Sequence, residues 1–431
     1  MKHCRKLAAS IAKQPVLVLL RNRPFILLVA QQFVALVASY SVTFASMAKV
    51  VEATGSGLHA AFTVLSVVVP GLIFGLLGGV AVDRLSRRSL LIGTNLLRGL
   101  VALLAPLGMG AQEVAQLLLV VLAANFLLSV IGQFNFPAEA ALVPSLVATE
   151  QLLAANSIFN VSYLAAIGIG GAIWGPVAVR ILGAEWAYAI AGALFLLTLV
   201  PLGALPPDRP SRERPLRRSR YARLRHLGLV LLDVDEALRF AASSPKVTVA
   251  IVALTSQTAL ALSFGSLLPV VLKARFGVPT YNLPLYIAPA ALGAAFAGLI
   301  LISPLAGKRS RTAFVLAGNS CIAASLVGYT LTVSLPSAGL LGLAASSPLL
   351  GFGFVLAYIP GKAILQEEPP EFMRGRVISL QLTLNNLFSV FPTMLAGWAL
   401  DALGPTRVFG ALVLVFAVLT AWCGLWLHGR K

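Results

Sequence analysis

Charge is scarce in this chain, negative charge above all: Asp and Glu number 15 in 431 residues, and all charged residues together make up 11%. A soluble domain must cover itself with polar groups, so this scarcity beside 58% hydrophobic residues excludes a single water-bounded core. Cysteine is nearly missing as well. Cys4, Cys321 and Cys423 lie far apart in sequence, which suits neither a disulfide framework nor a clustered metal site. The only histidines, His3, His59, His226 and His428, are just as scattered. With no Ser/His/Asp grouping, no metal-ligand spacing and no Gly-x-x-x-x-Gly-Lys-Ser/Thr loop, the sequence predicts no enzyme, no ATP-driven pump, no metal and no cofactor.

What is present in quantity is apolar sequence. A helix needs about 20 mostly apolar residues to cross a bilayer, and only helices or closed barrels satisfy every backbone group there. Alternating barrel strands are absent. Twelve candidate spans cover 25 to 48, 59 to 81, 89 to 109, 113 to 136, 155 to 178, 185 to 203, 247 to 271, 282 to 303, 312 to 334, 338 to 362, 377 to 399 and 407 to 427. An even number of crossings returns both termini to one side. On the opposite side fall only Lys49, Arg180, Lys273, Arg275 and Arg407 of the 33 basic residues, and Arg98 lies inside a span. The positive-inside rule therefore puts both termini in the cytoplasm of a cell (inner) membrane. The net charge of +18 is then mainly topological, and with the bases split among loops no nucleic-acid partner is expected. The apolar run after the basic N-terminus is too long for a signal-peptide core and lacks a small-residue cleavage site, so it is expected to be retained.

The expected fold class is an all-α membrane protein of twelve transmembrane helices in two six-helix bundles that weakly repeat each other. Residues 1–24 read as a cytoplasmic tail, 25–203 as the first bundle, 204–246 as a cytoplasmic basic linker, 247–427 as the second bundle and 428–431 as a short tail. Within the linker, Leu229, Leu232, Ala237, Leu238 and Phe240 alternate with Asp233, Asp235, Glu236 and Arg239, the pattern of an amphipathic helix on the membrane face. Headgroup contact and regulation are both open to it. Spans four and ten each run through a Pro, at Phe136-Pro137 and Ile359-Pro360, towards an Asn-rich span, as two repeats predict. Gly307-Lys308-Arg309-Ser310-Arg311 occupies the place of a degraded second copy of the first charged patch.

That first patch, Gly79-Val-Ala-Val-Asp83-Arg84-Leu-Ser-Arg87-Arg88, is the densest charge between two apolar runs. Gly79 lets helices approach closely. Asp83 at a helix end can face the partly positive N-terminus of another helix, worth about 0.3 to 1 kcal/mol when exposed and up to about 2 when partly buried. The patch resembles the signature loop between helices two and three of the major facilitator superfamily, with Ser86 where that family usually has Gly. Ala53-Thr54-Gly55-Ser56, Phe136-Pro137-Ala138-Glu139, Asp235-Glu236-Ala237-Leu238 and Arg374-Gly375-Arg376-Val377 resemble its drug:proton antiporter branch, which includes macrolide efflux proteins and enterobactin exporters. The resemblance implies a secondary exporter of amphipathic small molecules working by alternating access, with small-molecule substrate, membrane lipid and the proton as partners and a monomer as the expected state. A lipid or lysophospholipid translocator of the same fold is the alternative, and a nontransporting sensor follows it. It also implies a cytoplasmic gate in which Asp83 meets the helix start near Val377, while Arg84, Arg87 or Arg88 pairs with Glu139. In span five, Gly171-x-x-x-Gly175-Pro176 resembles the antiporter element, with Val179-Arg180 replacing its trailing Gly pair.

Polar residues within spans mark the candidate cavity. The first half offers Gln32, Tyr40, Arg98, Asn125, Asn160 and Tyr163; the second offers Gln257, Tyr286, Tyr358, Gln381, Asn385 and Asn386. Amides in hydrocarbon face the bundle interior, where helix-to-helix bonding and substrate contact are equally open to them. Arg98, about 13 Å along its helix, must meet something polar. Carbonyls or amides of spans two and four would give it a structural role, and an anionic substrate a binding one. No carboxylate is expected in a span core, which leaves proton coupling to the resemblance.

Overall fold

The computed structural model describes residues 15–110, 113–208, 235–303, 310–335 and 339–428, and every regular element among them is helical. Eleven helical stretches are long and apolar enough to cross a membrane. The first half of the chain holds α1 (Arg23–Thr54), α2 (Gly57–Arg84), α3 (Arg87–Met109), α4 (Val114–Gly132), α5 (Asn135–Leu146) and α6 (Leu152–Ile167). A π-helical turn over Gly168–Trp174 follows, then α7 (Gly175–Leu182) and α8 (Ala184–Leu197). After α9 (235–243) come α10 (Pro245–Phe276), α11 (Leu283–Ile302), α12 (Arg311–Ser334), α13 (Gly339–Glu367), α14 (Glu371–Leu403) and α15 (Pro405–His428).

The expected eleventh span, 377–399, lies within α14. At 33 residues α14 is long enough to cross a bilayer, yet it is not among the eleven apolar stretches. Glu371, Arg374 and Arg376 at its start and Gln381, Asn385 and Asn386 further along dilute its apolar character. Span four is also longer than expected. Pro137 reads in sequence as the end of a span, but it is the third residue of α5, where a helix has no backbone N–H bond to lose. Helix therefore resumes after Gln133 and Phe134, and the apolar stretch runs from Val114 to Leu146.

The chain forms two compact units, one of Met1–Thr54 with Ser66–Arg214, the other of Gly55–Leu65 with Pro215–Lys431. The first unit is built on small residues of α1, Ala35, Ala38, Val42 and Ala45, packed with Tyr188 and Phe195 of α8 and Val121 and Leu128 of α4. The second packs its helices still closer. A Cβ built on Gly293 of α11 would stand 1.8 Å from the Pro348 carbonyl oxygen, and one on Gly351 of α13 would stand 1.9 Å from that of Ala290. Only glycine admits backbones at that separation. Tyr329 and Phe409 stack at 6.1 Å, and Phe264 meets both edge-on at 4.9 and 5.8 Å.

Two aspartates cap helix starts. Within the second unit, Asp401 accepts from Ser56 Oγ (2.6 Å), Gly57 N (2.6 Å) and Leu58 N (3.0 Å), holding the first turn of α2 after Gly55, whose φ is +60°. Within the first, Asp208 accepts from Ser86 Oγ (2.7 Å), Arg87 N (2.7 Å) and Arg88 N (3.0 Å) at the start of α3. Partial burial pushes the Asp208 carboxyl up, and the bonds from Ser86, Arg88 and Arg87 outweigh it, leaving the group below the usual aspartate value. Of the expected linker helix, 229–234 lie outside the described residues. The rest is α9, whose Ala237 and Ala241 join the core of the second unit while Asp235 pairs with Arg239 at 2.9 Å and Glu236 pairs with Arg376.

Candidate functional site

A cavity of about 420 Å³ opens inside the first unit, lined by residues of α1 to α6 and by Phe195 of α8. Its polar wall carries Ser39, Tyr40, Arg98, Asn125, Gln133, Asn135, Glu139 and Tyr163. Leu36, Val42, Leu128 and Phe136 supply the apolar wall, so the surface is amphipathic. Tyr163 meets Phe136 edge-on at 6.3 Å. Four residues expected at the cavity from sequence, Tyr40, Arg98, Asn125 and Tyr163, come together here.

Arg98, 8% exposed, projects from α3. Nη2 donates to Ser39 Oγ of α1, and Cζ stands 4.2 Å from the centre of the Phe195 ring, a cation–π seat. Its partners are thus on α1 and α8 rather than on spans two and four, and its Nε has no hydrogen-bond partner.

Glu139, expected near the end of span four, sits near the end of the longer apolar stretch that α4 and α5 make. It is 5% exposed, lies in the continuous apolar stretch Val114–Leu146 and lines the same cavity as Arg98. Gln31 Nε2 donates to Glu139 Oε1 at 2.8 Å. Gln31 Oε1 accepts from Asn95 Nδ2 at 3.3 Å, Asn95 Nδ2 also donates to Thr198 Oγ1 at 2.9 Å, and Asn135 Nδ2 donates to Asn95 Oδ1 at 2.8 Å. All of these side chains are buried, so the carboxylate is anchored by a row of amides crossing α5, α1 and α3. Sequence reasoning passed over Asn95 and Asn135. Asn95 precedes Arg98 by three positions, which puts the two on one helix face, and that spacing was the available signal. A second buried group joins Asn125 to Ser46 (2.8 Å) and Tyr188 (3.2 Å), and leaves Asn125 Nδ2 unpartnered at the cavity.

The other expected residues lie elsewhere. Gln32 is fully buried away from the cavity wall, with neither amide atom bonded. Asn160 is exposed and bonds the Asn156 carbonyl at 2.8 Å. In the second unit, Gln257 donates to Asn319 (3.2 Å), Lys362 donates to Gln381 (3.0 Å) with its Nζ 5.8 Å from the Tyr358 ring centre, and Thr255 donates to Asn385 (2.9 Å). Asn386 is exposed and Tyr286 half-buried. That unit has its own cavity of about 440 Å³ between α10, α14 and α15, and it is walled mainly by apolar residues such as Ile251, Phe388 and Phe416.

In the charged patch, the side chains at Gly79, Asp83 and Arg84 lie outside the described residues, as do residues 307–309 of the second patch. Arg88 Nε and Nη2 donate to the carbonyls of Leu202 (2.9 Å) and Gly203 (2.5 Å), and its backbone, with that of Arg87, is held by Asp208. Glu139 here bonds Gln31 and makes no ion pair with Arg87 or Arg88 among the described residues.

The element Gly171-x-x-x-Gly175-Pro176 runs from the π turn into the start of α7. A Cβ on Gly170 would lie 2.7 Å from the Val37 carbonyl oxygen, and one on Gly175 would lie 2.8 Å from the Gly170 oxygen and 3.0 Å from Phe44 Cβ. Gly171 faces Tyr40 Cβ at 3.8 Å, and Pro176 is buried at the start of α7. Glycine thus lets the wound turn lie directly on α1, beside the cavity; such bulges are frequent at functional sites.

The same fold occurs in solved transporters. The chain matches the nucleoside transporter NupG with a TM-score of 0.67 at 12% identity, covering 94% of this chain and 99% of that one. A POT family transporter in complex with 5-aminolevulinic acid matches with a TM-score of 0.68 at 13% identity, over 92% of this chain and 95% of that one. A bacterial homolog of the human lysosomal transporter Spinster matches with a TM-score of 0.66 at 13% identity, over 95% and 97%. No curated protein matches the chain by sequence. The family model of the Major Facilitator Superfamily covers residues 27–393, and with the helical architecture this places the chain in that superfamily of membrane transporters.

Proposed function

We propose that this protein is a secondary exporter of amphipathic small molecules that binds its load in the cavity of the first unit. The observation that carries the reading is the presence of Arg98 and Glu139, both buried, on one aromatic-rimmed cavity wall. Buried ionisable groups in a spanning helix are expensive and mark substrate or ion pathways. Glu139 supplies the group able to hold a coupling proton within a span, so proton antiport is the coupling we favour. The inner membrane is the proposed location, with both termini cytoplasmic. Gly79, Asp83, Arg84, Arg87 and Arg88 are the proposed cytoplasmic gate, and the helix-five glycines Gly171 and Gly175 with Pro176 the proposed bending point between carrier states. Two bundles, 25–203 and 247–427, would rock about the load, with 204–246 as connector.

The test is transport of a panel of dyes, macrolides and siderophores in proteoliposomes with an imposed pH gradient. Accumulation should follow the gradient, and Asp83→Asn should cut it strongly while leaving membrane insertion intact. A correctly inserted protein that moves no member of the panel under any gradient would refute the exporter reading. Normal transport by Asp83→Asn would refute the gate.

A further inference from the structure

We propose that the substrate carries an anionic group, carboxylate-like in shape, and that Arg98 is the residue that receives it. This rests on the transporter reading and narrows its substrate class.

A buried guanidinium is costly unless its charge and its five donors are met. At Arg98 the fold meets them only in part. One nitrogen is on Ser39, one face is on Phe195, Nε is free, and Arg98 takes part in no ion pair among the described residues. The nearby acid, Glu139, acts on the Arg98 charge without touching it and is hydrogen-bonded to Gln31. The contacts that do exist hold the group from two sides, Cζ over the Phe195 ring and Nη2 on Ser39. Gly132 of α4 stands against the guanidinium, where a Cβ would make van der Waals contact with Cζ and Nη2 at 3.9 Å. A planar cation that is immobilised, under-bonded and on a cavity wall is a receptor for a planar two-oxygen anion, which a guanidinium binds through two parallel bonds. The aromatic rims, Tyr40, Phe136 and Tyr163, suit a ring system attached to it.

The probes are naphthalene-2-carboxylate and naphthalene-2-carboxamide, equal in size and differing in charge, titrated against the full-length protein in phosphatidylcholine nanodiscs. Charge-assisted bonding at a buried site predicts at least about tenfold tighter binding of the carboxylate. The preference should fall to about one in Arg98→Gln and persist in part in Arg98→Lys. Competition by added phosphatidylglycerol would assign the anion site to a lipid headgroup; its absence would assign it to a soluble substrate. Equal binding of the two probes, or binding of neither, overturns the proposal. Measured on the unsubstituted protein, that result stands even where Arg98→Gln fails to fold. Transport of other compounds by the same protein reconstituted in proteoliposomes then shows whether the exporter reading survives without it.

Discussion

Two glycines of the same π turn should respond to alanine in opposite directions. At Gly168 an added Cβ meets nothing within 4 Å, whereas at Gly170 it would stand 2.7 Å from the Val37 oxygen, 2.9 Å from Val37 Cα and 3.1 Å from Tyr40 Cβ. Both substitutions remove the same backbone freedom, worth about 0.5–1 kcal/mol in favour of alanine in a helical segment. Only Gly170→Ala must also push α1 away, by several tenths of an ångström, against its own backbone. Overpacking of this kind costs about 1–3 kcal/mol. The helical gain is common to both variants, so they should differ by about that amount, with Gly168→Ala level with or above the parent and Gly170→Ala below it. In a unit of some 200 residues each kcal/mol moves the melting temperature by about 2–4 °C. The assay is thermal unfolding of the purified variants side by side, with ligand binding measured on the same samples because the displaced strip of α1 includes Tyr40. If Gly170→Ala melts with Gly168→Ala, the close seating of the π turn on α1 is wrong.

Other outcomes follow from the capping and cavity geometry. Asp401→Ala should loosen the first turn of α2 at a cost of about 1–2 kcal/mol, seen as faster amide exchange at residues 57 and 58; unchanged exchange there would refute the cap. Asp208 has a folded-state pKa below its unfolded value, so its contribution is full above the ordinary aspartate value of about 3.9 and is lost as pH falls through the depressed one. The melting difference between parent and Asp208→Ala should therefore be constant at neutral pH and shrink in acid below about pH 4; a difference that grows in acid would contradict the assignment. Glu139→Gln keeps an acceptor for Gln31 and removes the titratable group, so it should leave the melting temperature nearly unchanged and abolish the response of transport to a pH gradient. Gradient-driven transport at the parent rate would remove Glu139 from coupling.

Much of the architecture is legible in sequence because the membrane imposes a single strong requirement, a run of apolar residues about 20 long. Arg98, Tyr40, Asn125 and Tyr163 could be singled out for the same reason, as polar groups with nowhere else to go. What escaped was the difference between a proline that ends a helix and one that begins the next. Misread at Pro137, it left Glu139 past the last residue of span four and hid a carboxylate that lines the cavity. The row Gln31–Asn95–Asn135 was obscured by distance along the chain, since Gln31 and Glu139 stand 108 positions apart. The π turn was foreshadowed by its glycines but not by its winding, which depends on the backbone of α1 pressing against it.

An amide side chain is a two-ended object, a donor at one end and an acceptor at the other, and Gln31 uses both ends at once. While Glu139 is ionised it accepts only, so Gln31 must turn its nitrogen towards it and its oxygen towards Asn95. Once Glu139 carries a proton it offers a hydrogen as well, and either orientation of Gln31 satisfies it. A single titration thus decides whether the polarity of the whole row is fixed or free to reverse, and the change reaches Thr198, at the far end of α8, without any helix having to move.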